Sequence, residues 1–367
     1  MGGGPRGSGL LSPTTLVPVR KVLVSAPAKV NLALRVGPPR LDGFHPLDTV
    51  FEALDVYDDV RASLPALDHV ADPNEPAVTL TITGLGEDLP TDGTNLAVRA
   101  AELLRERFGV KEGVALHITK RIPIAAGMAG GSADAAGTLV ACNELWGLGL
   151  SIEQLLELGG ELGSDVPFAM MGGFAHGVGR GEQLTPIESR VRHHWVLLTS
   201  TEGLSTPAVF REFDILMGYT RVPETLVADT VELRKALTDG DGDGAALPLL
   251  MINDLEQPAL SLRSDLLQTM RALRSRGHFA LLSGSGPTIA VLAPSAYEAD
   301  QLAEEFRELF PQHGVLRANG PVGAAQINDS AASLGNDPTA QNDQAAPVEK
   351  TQGTGPAAHV TEVKEEA

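Results

Sequence analysis

Three places in the sequence carry side chains whose type and position suit chemistry at least as well as packing. "SAPAKVNLAL" sets Lys29 and Asn31 at a strand boundary between apolar stretches. A lysine there either lies along the surface with its ammonium in water or offers a fixed positive charge to a ligand. "LGSDVPF" sets Asp165 beside Gly163 and Ser164 and just ahead of Pro167, where it can cap a helix or present a free carboxylate. The third place is the run "IPIAAGMAGGSADAAG", residues 122–137, almost all small side chains.

That run is flanked by "VALHIT", which alternates as a half-buried strand does, and by "SADAAGTLVACNELW", which has helical spacing. Small residues between a strand and a helix N-terminus leave N–H groups open to an anion, in the positive field of the helix dipole. Ser132 can cap the helix or donate to a phosphate, and Lys120 and Arg121 can add charge just upstream. Close packing of helix on strand would call for the same small residues. No Gly-Lys-Ser/Thr follows, so this is not a Walker A loop, and Gly127, Gly130 and Gly131 lack dinucleotide-fingerprint spacing.

The elements that must position these residues mix strands and helices irregularly, which predicts two α+β domains divided between about 180 and 195. "KVLVSAPAKVNLALRV" reads as two short strands around Pro27, and "TNLAVRAAELLRERFG" as a helix with Thr94 as N-cap and Gly109 past its end. "SIEQLLELGGELG" opens with a capping box, Ser151 to Gln154, and "STPAVFREF" starts a helix with Pro207. "HFALLSGSGPTIAVLA" reads as two strands around a Gly turn. The polar, small-residue composition of 1–18 and of 322–367 predicts disorder at both ends, the second an acidic tail. "DGDGDGAA" at 239–246 reads as a solvated loop.

The 367 residues carry a formal net charge of -19, which argues against a nucleic-acid or anionic-membrane partner. No apolar run approaches the ~18 residues of a membrane span, and the N-terminus has no signal-peptide core. The lone Cys142 excludes an intramolecular disulfide and reads as a buried small hydrophobe. A soluble, cytoplasmic protein is expected; a phosphorylated ligand, if one binds, must use backbone N–H groups and a few well-placed cations.

"PAKVNL", "PIAAGMAGGSADAA" and "LGSDVP", in this order, resemble the motifs of the GHMP kinases. "DGFHPLDTVFEALDVYD", "INDLE" at 252–256 and "LLSGSGPTIAVL" at 281–292 are similar to the branch whose substrate is 4-diphosphocytidyl-2-C-methyl-D-erythritol, of the non-mevalonate isoprenoid pathway. The resemblance covers about Val19 to Gly320. It implies a two-domain α+β GHMP kinase fold: an N-terminal domain like ribosomal protein S5 domain 2 over 19–185, and a ferredoxin-like C-terminal domain over 186–321.

It also implies roles. Lys29 and Asp165 would be the catalytic pair, Asp165 orienting the substrate's 2-hydroxyl and Lys29 offsetting charge in the transition state. ATP, with Mg²⁺ whose protein ligands stay unassigned, would lie on Pro123, Ile124, Ala125, Ala126, Gly127, Met128, Ala129, Gly130, Gly131, Ser132 and Ala133. Lys120 would add its charge there, and Asn95 would help hold the nucleobase unless it is merely a helix cap. Asn31 would face the methylerythritol, while Phe44 and His45 would stack on and hydrogen-bond the cytosine unless Phe44 packs on its own sheet. Phe44 stands where the family usually has Tyr, and Ala125, Ala126, Ala129 and Ala133 where it more often has Gly or Ser. Their methyls are tolerated if these residues have φ below zero. A homoserine or mevalonate-type substrate and a non-catalytic binding role are the competing readings; "GFH" with "INDLE", and the retained Lys29, Asp165 and loop, argue against them.

Overall fold

The computed structural model describes residues 20–64, 76–220, 229–240 and 247–330. The expectations for residues 1–18, for most of the 239–246 loop and for the chain beyond 330 lie outside the described residues.

In chain order the first half comprises β1 (Lys21–Val36), β2 (Leu47–Ser63), β3 (Val78–Gly84), α1 (Leu96–Phe108), β4 (Val114–Lys120) and α2 (Gly130–Trp146), then α3 (Ile152–Leu162), α4 (Val166–Met171), β5 (Phe174–Gly179) and β6 (Gln183–Ile187). The second half runs β7 (His193–Thr199), α5 (Thr206–Met217), α6 (Val231–Asp239), α7 (Leu247–Leu250), β8 (Ile252–Asn253), α8 (Glu256–Leu262) and α9 (Ser264–Ser275). It closes with β9 (Ala280–Leu282), β10 (Ile289–Ala293), α10 (Ala296–Leu309), β11 (Gly314–Gly320) and β12 (Gln326–Ser330).

Eight described strands form one sheet along β12-β1-β2-β4-β3, with β5 and β6 extending from β2 and β8 pairing with β1. The other four form a second sheet, β11-β7-β10-β9. β1 is a single strand rather than two. Its register against β2 shifts at Pro27/Ala28, and such a bulge accommodates a residue that has no N–H to donate. A second shift lies between Asn31 and Ala33, so both irregularities flank Lys29.

The chain passes from first sheet to second between Ile187 and His193, near the expected boundary, but the core does not divide there. Trp195 and Leu197 of β7 and Leu233 and Leu237 of α6 pack in the same apolar cluster as β1, β4, α1 and α2. A second cluster joins β7, β9 and β10 to α5, α8, α9 and α10. Part of the segment expected as tail from Val322 is instead a strand. Residues 326–330 pair antiparallel with β1, Val24 opposite Ile327. Backbone hydrogen bonds at a sheet edge order this segment although it has few apolar residues.

α2 explains half of the small-residue run. Ala133, Ala135, Ala136, Gly137 and Ala141 are buried on it. A Cβ on Gly137 would stand 2.8 Å from Val60 of β2, so α2 approaches the sheet closely. Cys142 is buried in the same helix, and burial pushes its thiol up, out of reach of nucleophilic chemistry. The capping box of Ser151 and Gln154 forms on α3. On α1 the N-cap is Asn95, one residue later than expected, because Thr94 bonds to Asp92 instead.

Candidate active site

β1 carries Lys29 and Asn31 on one face, two residues apart, as strand alternation requires. The Lys29 Nζ donates to Asn31 Oδ1 at 2.6 Å; Asn31 Nδ2 donates to Thr49 Oγ1 of β2 at 2.8 Å, and that hydroxyl donates to Ala33 O at 2.7 Å. This buried chain fixes the ammonium, which is therefore no snorkelling lysine. Asp165 Oδ2 lies 3.8 Å from it. Asp165 occupies the N-cap position of α4, yet its side chain makes no capping bond, which leaves the carboxylate for Lys29 and for a ligand. Burial pushes the Lys29 ammonium below its ordinary value, and the neighbouring Asp165 partly opposes this.

Both residues line a cavity of about 1120 Å³. One end is the start of α2, with Ala125, Ala126, Gly127, Ala129, Gly130, Gly131 and Ser132 on the wall. Loop carbonyls are engaged by the protein: Met128 O accepts from Lys29 N–H, Gly127 O from Ser283 Oγ and Ala126 O from Thr288 N–H. The first-turn N–H groups of α2 have no carbonyl within the helix, so the geometry favours an anion there. Ser132, half-buried, lies inside that turn on the cavity wall, while the N-cap is Ala129.

The alanines depart from expectation. Ala125 has φ 49° and Ala129 φ 60°, both left-handed, whereas Ala126 and Ala133 are buried in packing. Each left-handed alanine costs roughly 1–2 kcal/mol of backbone strain that glycine would avoid. Gly127, at φ 72°, has no alternative: a Cβ there would meet Ser283 O at 2.1 Å. The "SGSGP" turn, residues 283–287, thus wedges the loop from outside, and Asn253 of "INDLE" holds the turn by donating to Leu282 O and Gly284 O at 2.8 and 2.7 Å.

Next to the loop lies a smaller pocket of about 230 Å³, lined by Pro90, Asn95, Leu96, Pro123, Ile124 and Gly131 among others. Both ends of the Asn95 side chain serve the fold: Oδ1 accepts from Ala97 N–H and Nδ2 donates to Pro90 O. Lys120 does not reach the loop as a free cation. Its buried ammonium is shared by Asp58 and Asp134, 2.6 Å from each. Arg121, exposed, pairs with Asp59.

At the other end of the large cavity Phe44 is 51% exposed, so it does not pack on its own sheet. The Arg180 guanidinium covers one face, 5.1 Å from the ring centroid. His45 is buried, with Nδ1 donating to Gly37 O at 2.8 Å and Nε2 3.6 Å from Asp214 Oδ2. Its ring lies 4.9 Å from that of Phe210. Arg180, Phe210, Asp214 and Tyr219 line this end and escaped sequence reasoning. Phe210 and Asp214 sit in a helix whose periodicity marks packing, and Arg180 lies between glycines with no motif of its own.

Two family descriptions match the chain, "GHMP kinases N terminal domain" over residues 95–173 and "GHMP kinases C terminal" over residues 231–312. A Streptomyces coelicolor protein named 4-diphosphocytidyl-2-C-methyl-D-erythritol kinase is 50% identical over 303 residues, 82% of this chain and 93% of its own. A Nocardia farcinica protein of the same name is 47% identical over 312 residues, 84% and 96%. The crystal structure of a 4-(cytidine 5'-diphospho)-2C-methyl-D-erythritol kinase superposes with a TM-score of 0.63 at 30% identity, covering 82% of this chain and 100% of that one. A homoserine kinase from Cytophaga hutchinsonii, at 17% identity and a TM-score of 0.62, shares the fold. Sequence likeness over nearly the full length of the relatives, both domain matches and the common architecture agree: the chain belongs to the 4-diphosphocytidyl-2-C-methyl-D-erythritol kinase family of GHMP kinases.

Proposed function

We propose that the protein transfers the γ-phosphoryl group of ATP to the 2-hydroxyl of 4-diphosphocytidyl-2-C-methyl-D-erythritol, with Lys29 and Asp165 as its catalytic pair. The observation that carries this reading is the 3.8 Å Lys29–Asp165 pair inside one cavity bounded by the start of α2 and by Phe44 and His45. The phosphates lie on the first-turn N–H groups of α2 and on Ser132, and the nucleobase enters the smaller pocket. Asn95 acts on the base by shaping that pocket, since its own polar atoms are engaged.

Mg²⁺, when bound with ATP, would offset phosphate charge. Among the described residues no group of three His, Cys, Asp or Glu is placed to hold a metal. Asp165 accepts a hydrogen bond from the 2-hydroxyl, aligns it, and takes its proton late, as the new P–O bond forms. Lys29 offsets the charge on the transferring group, and Asn31 stands beside it toward the methylerythritol. The cytosine stacks between Phe44 and Phe210, and His45, tethered to Gly37, reads its edge. No described helix is long and apolar enough to cross a membrane; the lone, buried Cys142 fits a reducing compartment, and the reaction is assigned to the cytoplasm.

The test is ADP release with Mg·ATP and, in separate assays, 4-diphosphocytidyl-2-C-methyl-D-erythritol, mevalonate and homoserine. Turnover with the cytidylyl substrate alone is expected. Turnover with either other alcohol would overturn the cytosine reading, and silence with all three would favour a non-catalytic role.

A further inference from the structure

Two acids share one base beneath the start of α2. Lys120 Nζ donates to Asp58 Oδ2 and to Asp134 Oδ2, each at 2.6 Å, and all three side chains are buried. Asp58 also accepts from Arg121 N–H at 2.6 Å and Ile122 N–H at 2.9 Å through Oδ1, so three donors hold it. Asp134 has Lys120 alone. Its Oδ1 is buried without a hydrogen-bond partner among the described residues, and the residue lines the smaller pocket with Gly130 and Gly131.

With both acids ionised the cluster keeps one surplus negative charge, buried where the nucleotide's polyphosphate would add more. A low-dielectric site relieves such a surplus by protonation, and the proton goes to the acid with fewer donors. We propose that Asp134 is a positioning residue for the nucleotide: with Lys120 it holds the exit of β4 against α2, and it takes up one proton from solvent, on Oδ1, as phosphates settle on the α2 N-terminus. The inference rests on the nucleotide reading given above.

Electrostatics supports the assignment. Burial raises Asp134, Lys120 opposes this and Asp58 adds to it, leaving the carboxyl pushed up to about 7. Burial works against the Lys120 ammonium, but facing two carboxylates it is held above its ordinary value. α2 also packs on α1, α3, α4, β1 and β12, and among the described residues the charges acting on Asp134 are Lys120 from β4 and Asp58 from β2.

Isothermal calorimetry of Mg·ADP at pH 7, in two buffers of different ionisation enthalpy, reads the proton directly. The wild type should take up about 0.4 proton per ADP, and its affinity should fall about fourfold as pH rises from 6.5 to 8. Asp134→Asn, a neutral isostere, should bind ADP with no uptake and a flat profile, after subtraction of ADP's own titration. Binding with buffer-independent heat in the wild type, or equal uptake in the variant, overturns this inference alone. No binding of Mg·ADP overturns the nucleotide reading and this inference with it. Should the variant not fold, infrared difference spectra of the wild type decide: a protonated-carboxyl band growing with ADP supports the proposal, and its absence overturns it.

Discussion

At the scale of single residues, the site depends on how Lys29 and Asp165 are held. Asp165→Ala should lower kcat by about a thousandfold or more while ATP affinity changes little, because in the proposed mechanism the carboxylate meets the acceptor hydroxyl rather than the nucleotide. Equilibrium binding and turnover measured on the same preparation check this; near-normal kcat would remove Asp165 from the mechanism. Lys29 gives a pH prediction with a definite sign. Since burial lowers its ammonium, activity should fade on the alkaline side earlier than an ordinary lysine would allow. Lys29→Arg, which stays charged, should retain some activity and move that limb upward in the pH–rate profile. Much of this was legible in the chain: a charge between apolar stretches and a carboxylate before Pro167 are odd enough to notice. What the sequence did not reveal was Lys120's engagement, because Asp58 lies 62 positions away on β2. A lysine upstream of a small-residue loop looks free until its long-range partners are known.

At the scale of elements, the proposed nucleotide loop is a strained segment clamped from two sides. Gly127→Ala should destabilise the protein by about 3 kcal/mol or more and raise the KM for ATP, since its Cβ has only a backbone carbonyl at 2.1 Å to move into. Ala129→Gly should act oppositely, raising stability by about 0.5 kcal/mol as relieved strain slightly exceeds the added flexibility of the unfolded chain. Chemical denaturation of both variants tests the pair; destabilisation by Ala129→Gly would mean that φ 60° carries no strain there. Sequence pattern found the strand, the loop and the helix, and it left open whether the small residues serve an anion or packing. The structure divides them: the first-turn residues line the cavity, where the proposed phosphates would lie, and those from Ala133 onward are mostly buried in packing. Pattern could not give the sign of φ, which follows from how Ser283 and Thr288 engage the loop's carbonyls.

At the scale of the whole molecule, β12 alters how the chain's end should be regarded. Composition marked everything from Val322 as tail, since strand edges built on backbone hydrogen bonds leave little trace in side-chain pattern. A chain ending at Pro321 should melt several degrees below one ending at Ser330, about 4 °C if the lost pairing contributes 1–2 kcal/mol. Equal melting temperatures would show that β12 adds nothing to stability. The pairing also has a consequence in time. β1 is made well before the segment that covers the Val22–Ser25 part of its other edge, which follows roughly 300 residues later, or roughly 15 to 60 s at ordinary elongation rates. For that interval the strand bearing Lys29 offers an open edge to any neighbouring nascent chain. The strand that bears Lys29 is thus made long before it is fully enclosed.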